Sequence, residues 1–189
     1  MSDADLLTAI CSNDMSALQT LFDRYRQQLY QTALGITRDP QTAEEVLQDC
    51  FYRLYRHAAK LDGSTPLAPW LYRVTVNLCY SHLKKRRHWF ESFHDLAERL
   101  WAGQRSTPEY VAEQHEFQGV VRQTLEKLSP QHRAVLVLHY FHDYSLSEIA
   151  TILECPEGTV KSRLFYARKV LKEQIALAAL DGDALPDFA

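Results

Sequence analysis

Glycine is scarce here, with six residues in a chain of 189. Together with apolar residues spaced mostly at helical intervals, that scarcity points away from sheets and turns and toward an all-α protein. The four cysteines, Cys11, Cys50, Cys79 and Cys155, form no CxxC pair. The spacing of a structural zinc site is therefore missing, and the thiols read as buried groups in a reducing compartment. No apolar run approaches the roughly 20 residues that span a bilayer, and no leader pattern opens the chain. The expectation is a cytoplasmic protein with no direct membrane insertion. Walker A, GxSxG and HExxH patterns are all missing, so no enzyme, cofactor or resident metal is expected. Positive charge is also short: the net charge is −3, whereas domains that hold DNA unaided are usually basic.

What cations there are lie in clusters, one at Lys84-Lys85-Arg86-Arg87 and one between Lys161 and Lys172. A partner is expected to share the work of holding nucleic acid.

Taken in order, Leu6, Leu7 and Ile10 begin an amphipathic helix, and Asn13-Asp14 makes a turn. Leu18, Leu21, Phe22, Tyr25, Leu29, Ala33 and Ile36 continue at helical spacing. Asp39-Pro40 stops that helix and starts the next, with aspartate as N-cap and proline at the first helical position. Ala43, Val46, Leu47, Cys50, Phe51 and Leu54 point that helix toward a core. Glu44, Glu45, Gln48 and Asp49 make its early part acidic, which suits either the helix N-terminus or a basic partner. A loop at residues 62–66 precedes a helix opened by Pro69 that runs through Trp70, Leu71, Val74, Leu78 and Leu83 into the basic run. On it, Asn77 and Tyr80 are candidates for contact with exposed bases, since amide edges and rings suit them. From about His88 to Val111 the pattern weakens to a linker. Val120, Val121, Leu125 and Leu128 close another helix, and Ser129-Pro130 caps the next.

The most informative stretch runs from Tyr144 to Ile175. Ser145 and Glu148 form a capping box, and Leu146, Ile149, Ala150 and Leu153 follow at helical spacing. Cys155-Pro156 breaks the chain and restarts it. In the second helix Val160, Leu164, Ala167, Leu171 and Ile175 share one face. Lys161, Ser162, Phe165, Tyr166 and Lys169 share the other, as on a helix that enters the DNA major groove.

Three pieces together resemble one family, the extracytoplasmic-function sigma factors of bacterial RNA polymerase. TAEEVLQDCFYRLYRH (42–57) resembles the core-polymerase-binding helix. APWLYRVTVNLCYSHLKKRR (68–87) resembles the helix that melts and reads the promoter −10 element. LSPQHRAVLVLHYFHDYSLSEIATILECPEGTVKSRLFYARKVL (128–171) resembles the domain that reads the −35 element. The resemblance implies two small helical domains on a flexible linker: sigma region 2 at 1–92, the linker at 93–115, sigma region 4 with its helix-turn-helix at 116–176, and an acidic tail at 177–189. It implies that Glu45, Gln48 and Asp49 face the clamp helices of the polymerase beta-prime subunit. It places Asp62, Gly63, Ser64 and Thr65 in the loop that pockets a flipped −10 base, with Asn77, Tyr80, Lys84, Lys85, Arg86 and Arg87 along the opened strand. It gives Lys161, Ser162, Arg163, Phe165, Tyr166 and Lys169 as the −35 contacts. Many members carry arginine where Tyr166 stands, so the −35 preference stays open. The implied partners are core RNA polymerase, promoter DNA and an anti-sigma factor, free or membrane-anchored.

Three rival readings explain less of the chain. A stand-alone helix-turn-helix regulator needs a dimer and a palindromic site, and leaves the 68–87 helix unexplained. A metal or redox sensor would have to use Cys79, His82, His88 and His94, or His139 and His142, without any paired-cysteine spacing. An enzyme lacks a catalytic constellation.

Overall fold

The computed structural model describes residues 1–61, 66–97 and 125–180, with the backbone alone at 86–97, 175 and 177–180. Among the described residues there is no strand. The helices are α1 (Asp3–Cys11), α2 (Met15–Thr37), α3 (Pro40–His57), a 3-10 turn (Ala58–Lys60), α4 (Leu67–Ala97), α5 (Pro130–Tyr140), α6 (Leu146–Leu153) and α7 (Glu157–Leu180). The capping signals explain most of the boundaries. Asp39 accepts from the Thr42 amide with Pro40 behind it, Ser129 accepts from His132, and Ser145 with Glu148 forms the reciprocal box. Asn13, Arg38, Asp143 and Glu154 turn the chain with positive φ.

Two boundaries differ from the sequence reading. The fourth helix starts at Leu67, not Pro69, and it continues past the basic run to Ala97. The reason is chemical: after Arg87 no glycine or proline occurs until Gly103, and Trp, Phe, Glu, Leu and Ala all tolerate a helix. The expected division at residue 92 therefore falls inside α4. At the other end, α7 runs four residues beyond Ala176.

Helices α1–α4 pack as one bundle around Leu6, Leu21, Leu29, Ile36, Val46, Leu54 and Leu71, each almost wholly buried. Helices α5–α7 pack as a second unit, with Ile149 and Ile152 of α6 against Val160 and Leu164 of α7. Leu128, Leu136, Ala167 and Val170 form a smaller cluster on its far side. On α7 the buried stripe includes Val170 and Gln174, and Leu171, expected on it, is half-buried; the Ile175 side chain lies outside the described residues.

The two units are not separate in space. Ala134, Val135 and Leu138 of α5 join the same continuous core as Leu29, Ala33 and Ile36 of α2. At Gly35 the α2 backbone comes so close to Val137 that a β-carbon would sit 2.8 Å from its methyl group. Glycine is needed there for close approach. The sequence reading placed the two units on a tether and did not foresee this seam.

Candidate nucleic-acid interface

Helices α6 and α7 form the expected helix-turn-helix. Glu154 ends α6 in the left-handed conformation (φ 50°), which turns the chain sharply. The Pro156 carbonyl then accepts from Thr159 at 2.8 Å and Val160 at 3.3 Å, so proline sits just before the first turn of α7. Burial of Val160, Leu164 and Ala167 fixes the rotation of α7 and drives its other face outward. Phe165 is 72% exposed and Tyr166 47%. For two aromatics on one helix that exposure is costly in water unless a partner covers them. Lys161 and Lys169 project beside them, paired with Glu157 at 2.8 Å and Glu173 at 4.0 Å. Such surface pairs hold little energy and yield readily to phosphates. Ser162 is exposed, its hydroxyl donating to the Thr159 carbonyl at 3.0 Å.

Tyr166 does not swing freely. Its ring packs on the His132 imidazole, centroids 4.6 Å apart. That imidazole is held in turn by the Ser129 hydroxyl at 2.6 Å. Burial, with Arg163 nearby, keeps the His132 pKa below its ordinary value. Sequence reasoning missed His132. The pairing joins α5 to α7, and helical spacing carries no sign of it.

Arg163 leans inward. It was grouped with the −35 contacts, yet it is half-buried and its charge faces Tyr80 of α4 as well as His132. It lies three residues after Val160 and four before Ala167, at the edge of the buried stripe, so its inward lean was legible from spacing. Tyr80 is turned inward too. It was expected to meet an exposed base, but it is half-buried, and its hydroxyl is out of solvent with no hydrogen-bond partner among the described residues. Burial raises its pKa, against the pull of Arg163.

Asn77, Lys84 and Lys85 are exposed along α4. Arg86 and Arg87 continue its backbone. Asp62, Gly63, Ser64 and Thr65 lie outside the described residues.

The third surface is on α3. Glu45, Gln48 and Asp49 are exposed on one side of it. His82 of α4 reaches both acids, Nδ1 at 3.5 Å from Glu45 and Nε2 at 3.3 Å from Asp49. His82, considered as a metal ligand from sequence, thus serves to tie α3 to α4. One turn on from these acids, Tyr52 is 63% exposed. It was missed because an aromatic at helical spacing usually reads as core. Cys50 and Cys79 are buried inside the bundle, and burial pushes their thiols up to about 11 and about 12. Neither is a ready thiolate.

A helix-turn-helix with an outward cationic, aromatic helix, joined to a helical bundle with an exposed acidic face, is the architecture of a DNA-reading transcription factor. Residues 21–88 match the family described as sigma-70 region 2, and residues 118–171 match sigma-70 region 4. The chain is 31% identical over 160 residues to the ECF RNA polymerase sigma factor SigL of Mycobacterium tuberculosis, covering 84% of this chain and 89% of that one. It is 28% identical to the RNA polymerase sigma-H factor of Pseudomonas aeruginosa, over 92% of this chain and 93% of that one. Among solved structures it is similar to CnrH in complex with the cytosolic domain of CnrY, with TM-score 0.65, 23% identity, and 96% and 99% coverage. It is similar also to RpoE of Bartonella quintana in complex with the anti-sigma factor NepR, with TM-score 0.65, 22% identity, and 84% and 96% coverage. The chain belongs to the extracytoplasmic-function sigma factors of the sigma-70 family. Its function is that of an alternative sigma factor, directing transcription initiation.

Proposed function

We propose that the two units divide promoter recognition between them. The α6–α7 unit, region 4 at 116–176, reads intact −35 duplex. Lys161 and Lys169 neutralise phosphates, while Phe165 and Tyr166 press on base edges and thymine methyls. The α1–α4 unit, region 2 at 1–92, holds the opened −10 strand. Asn77 offers an amide edge, the run Lys84, Lys85, Arg86, Arg87 tracks phosphates, and the loop Asp62, Gly63, Ser64, Thr65 pockets a displaced base. Holding a base out of its stack costs a few kcal/mol, which pocket and stacking contacts offset. Glu45, Gln48 and Asp49, with Tyr52 beside them, dock on the beta-prime clamp helices of core RNA polymerase. The observation that carries this reading is the outward face of α7, where two exposed rings lie among cations on a helix whose rotation is fixed by its buried side.

The polymerase supplies the catalysis. The sigma factor positions it in the cytoplasm, and no described helix is long and apolar enough to cross a membrane. Control by an anti-sigma factor fits the family and the complexes of CnrH and RpoE. Because α2 and α5 already touch, such a partner would wrap the closed pair or force it apart.

The test is reconstitution. Purified chain should bind core polymerase and start transcripts at a defined set of promoters. A homodimer on palindromic sites, with no affinity for core enzyme, would instead favour a stand-alone regulator.

A further inference from the structure

The two exposed rings of α7 are held differently. Phe165 stands well out in solvent. Tyr166 is less exposed, because one side of its phenol lies against the His132 imidazole, the ring planes 39° from parallel. Rings tilted at such a distance attract each other, so the phenol has a preferred place before any DNA arrives.

The imidazole beneath it is itself anchored. His132 lies in the first turn of α5, three residues after the N-cap Ser129. The Ser129 hydroxyl meets its Nδ1 at 2.6 Å and also accepts from its backbone amide. Residues 133–138 of the same helix are all buried, so the anchor belongs to a well-packed element rather than a loop. Burial and the nearby Arg163 charge both disfavour the imidazolium, so Tyr166 packs on a neutral ring at neutral pH.

A phenol placed in this way has few base contacts open to it. It lacks the two-pronged donor that reads guanine O6 and N7 together, and it lacks the amide that reads adenine. The apolar edge of a ring has one distinctive partner in the major groove, the C5-methyl group of thymine. Fixing the ring in advance removes a side-chain ordering cost that binding would otherwise meet. The gain is realised only where the methyl group sits against the placed ring.

We infer that His132 is a positioning residue for sequence readout, holding Tyr166 as an apolar plate that selects thymine at one base pair of the −35 element. The inference rests on the −35 reading proposed above and adds a base identity to it.

The experiment uses holoenzyme reconstituted from core polymerase and the full chain, which selects duplexes randomised across the −35 element. The position that loses its preference in Tyr166→Ala is the one Tyr166 meets, and thymine is expected there. Replacing that thymine by deoxyuridine removes only the methyl group, and should weaken filter retention by the wild type about fourfold, the usual weight of one buried methylene-sized group. His132→Ala should retain the thymine duplex only as well as the deoxyuridine one, with the deoxyuridine duplex held as by the wild type. If His132→Ala fails to fold, His132→Gln, which keeps a polar partner for Ser129 but offers no ring, should show the same loss. His132→Phe supplies a ring again and should restore the response to the methyl group. A role in folding alone would weaken both duplexes alike. Equal retention of the two duplexes by the wild type, equal losses on both in the His132 variants, or a phenylalanine variant as blind to the methyl group as the glutamine one would overturn the inference and leave the promoter reading standing. A holoenzyme that selects no −35 sequence at all would overturn both.

Discussion

Lys161 and Tyr166 sit on the same exposed face and contribute different things to it. Lys161 brings charge. Lys161→Ala should weaken −35 duplex binding about equally across sequences and lower the salt dependence by about one released counterion, measured by titration at several salt concentrations. Tyr166 brings shape, and His132 sets its angle. His132→Ala should relax discrimination at the base pair that Tyr166 meets and have little effect once Tyr166→Ala is present. A −35 duplex library bound by the four members of that cycle checks the coupling. Some of this face was legible in the sequence, because Val160, Leu164 and Ala167 fix the helix rotation by spacing alone. His132 was not, because a pairing between helices has no local signature.

Among the elements, the ones most securely read in advance were those with chemical punctuation. Asp39-Pro40, Ser129-Pro130 and the Ser145–Glu148 box each mark a real helix start. Ser145→Ala should destabilise the α5–α7 unit by about 1 kcal/mol, the usual cost of a lost cap, in urea unfolding. Helix α4 was misjudged because its end lacks punctuation. At 31 residues it extends about 46 Å, so the basic run lies within the helix rather than at its end. Helix α5 held a signal that was passed over: Ala134 through Leu138 are apolar without a break, too many for one buried face of a small unit.

At the scale of the molecule, the seam joins residues about 70 to 110 positions apart, which neither periodicity nor capping can foresee. His142 makes that seam sensitive to acid. Burial disfavours its imidazolium and lowers its pKa, while Asp143 beside it pulls part of the way back. The groups facing it are Thr32 and Gln28 of α2, Tyr72 of α4 and Tyr144 of its own turn; the neighbouring tyrosines stay neutral, burial having raised their pKa values. The sign follows from linkage. The His142 contribution to the seam is at full strength above the ordinary imidazole pKa of about 6.5 and weakens as pH falls through that value toward the lower one that burial imposes. Scattering between pH 8 and pH 5 should show expansion on the acid side, and His142→Asn should flatten the profile.

The division of labour between the two units is tested most directly by following strand opening and duplex binding separately in one reconstituted holoenzyme. A fluorescent base analogue in the −10 element reports opening, and filter retention of promoter DNA at low temperature reports the closed complex. Asn77→Ala should slow or abolish the fluorescence rise with retention unchanged, and Lys161→Ala should reduce retention while the bound fraction opens normally. Equal losses in both signals for both variants would contradict the account.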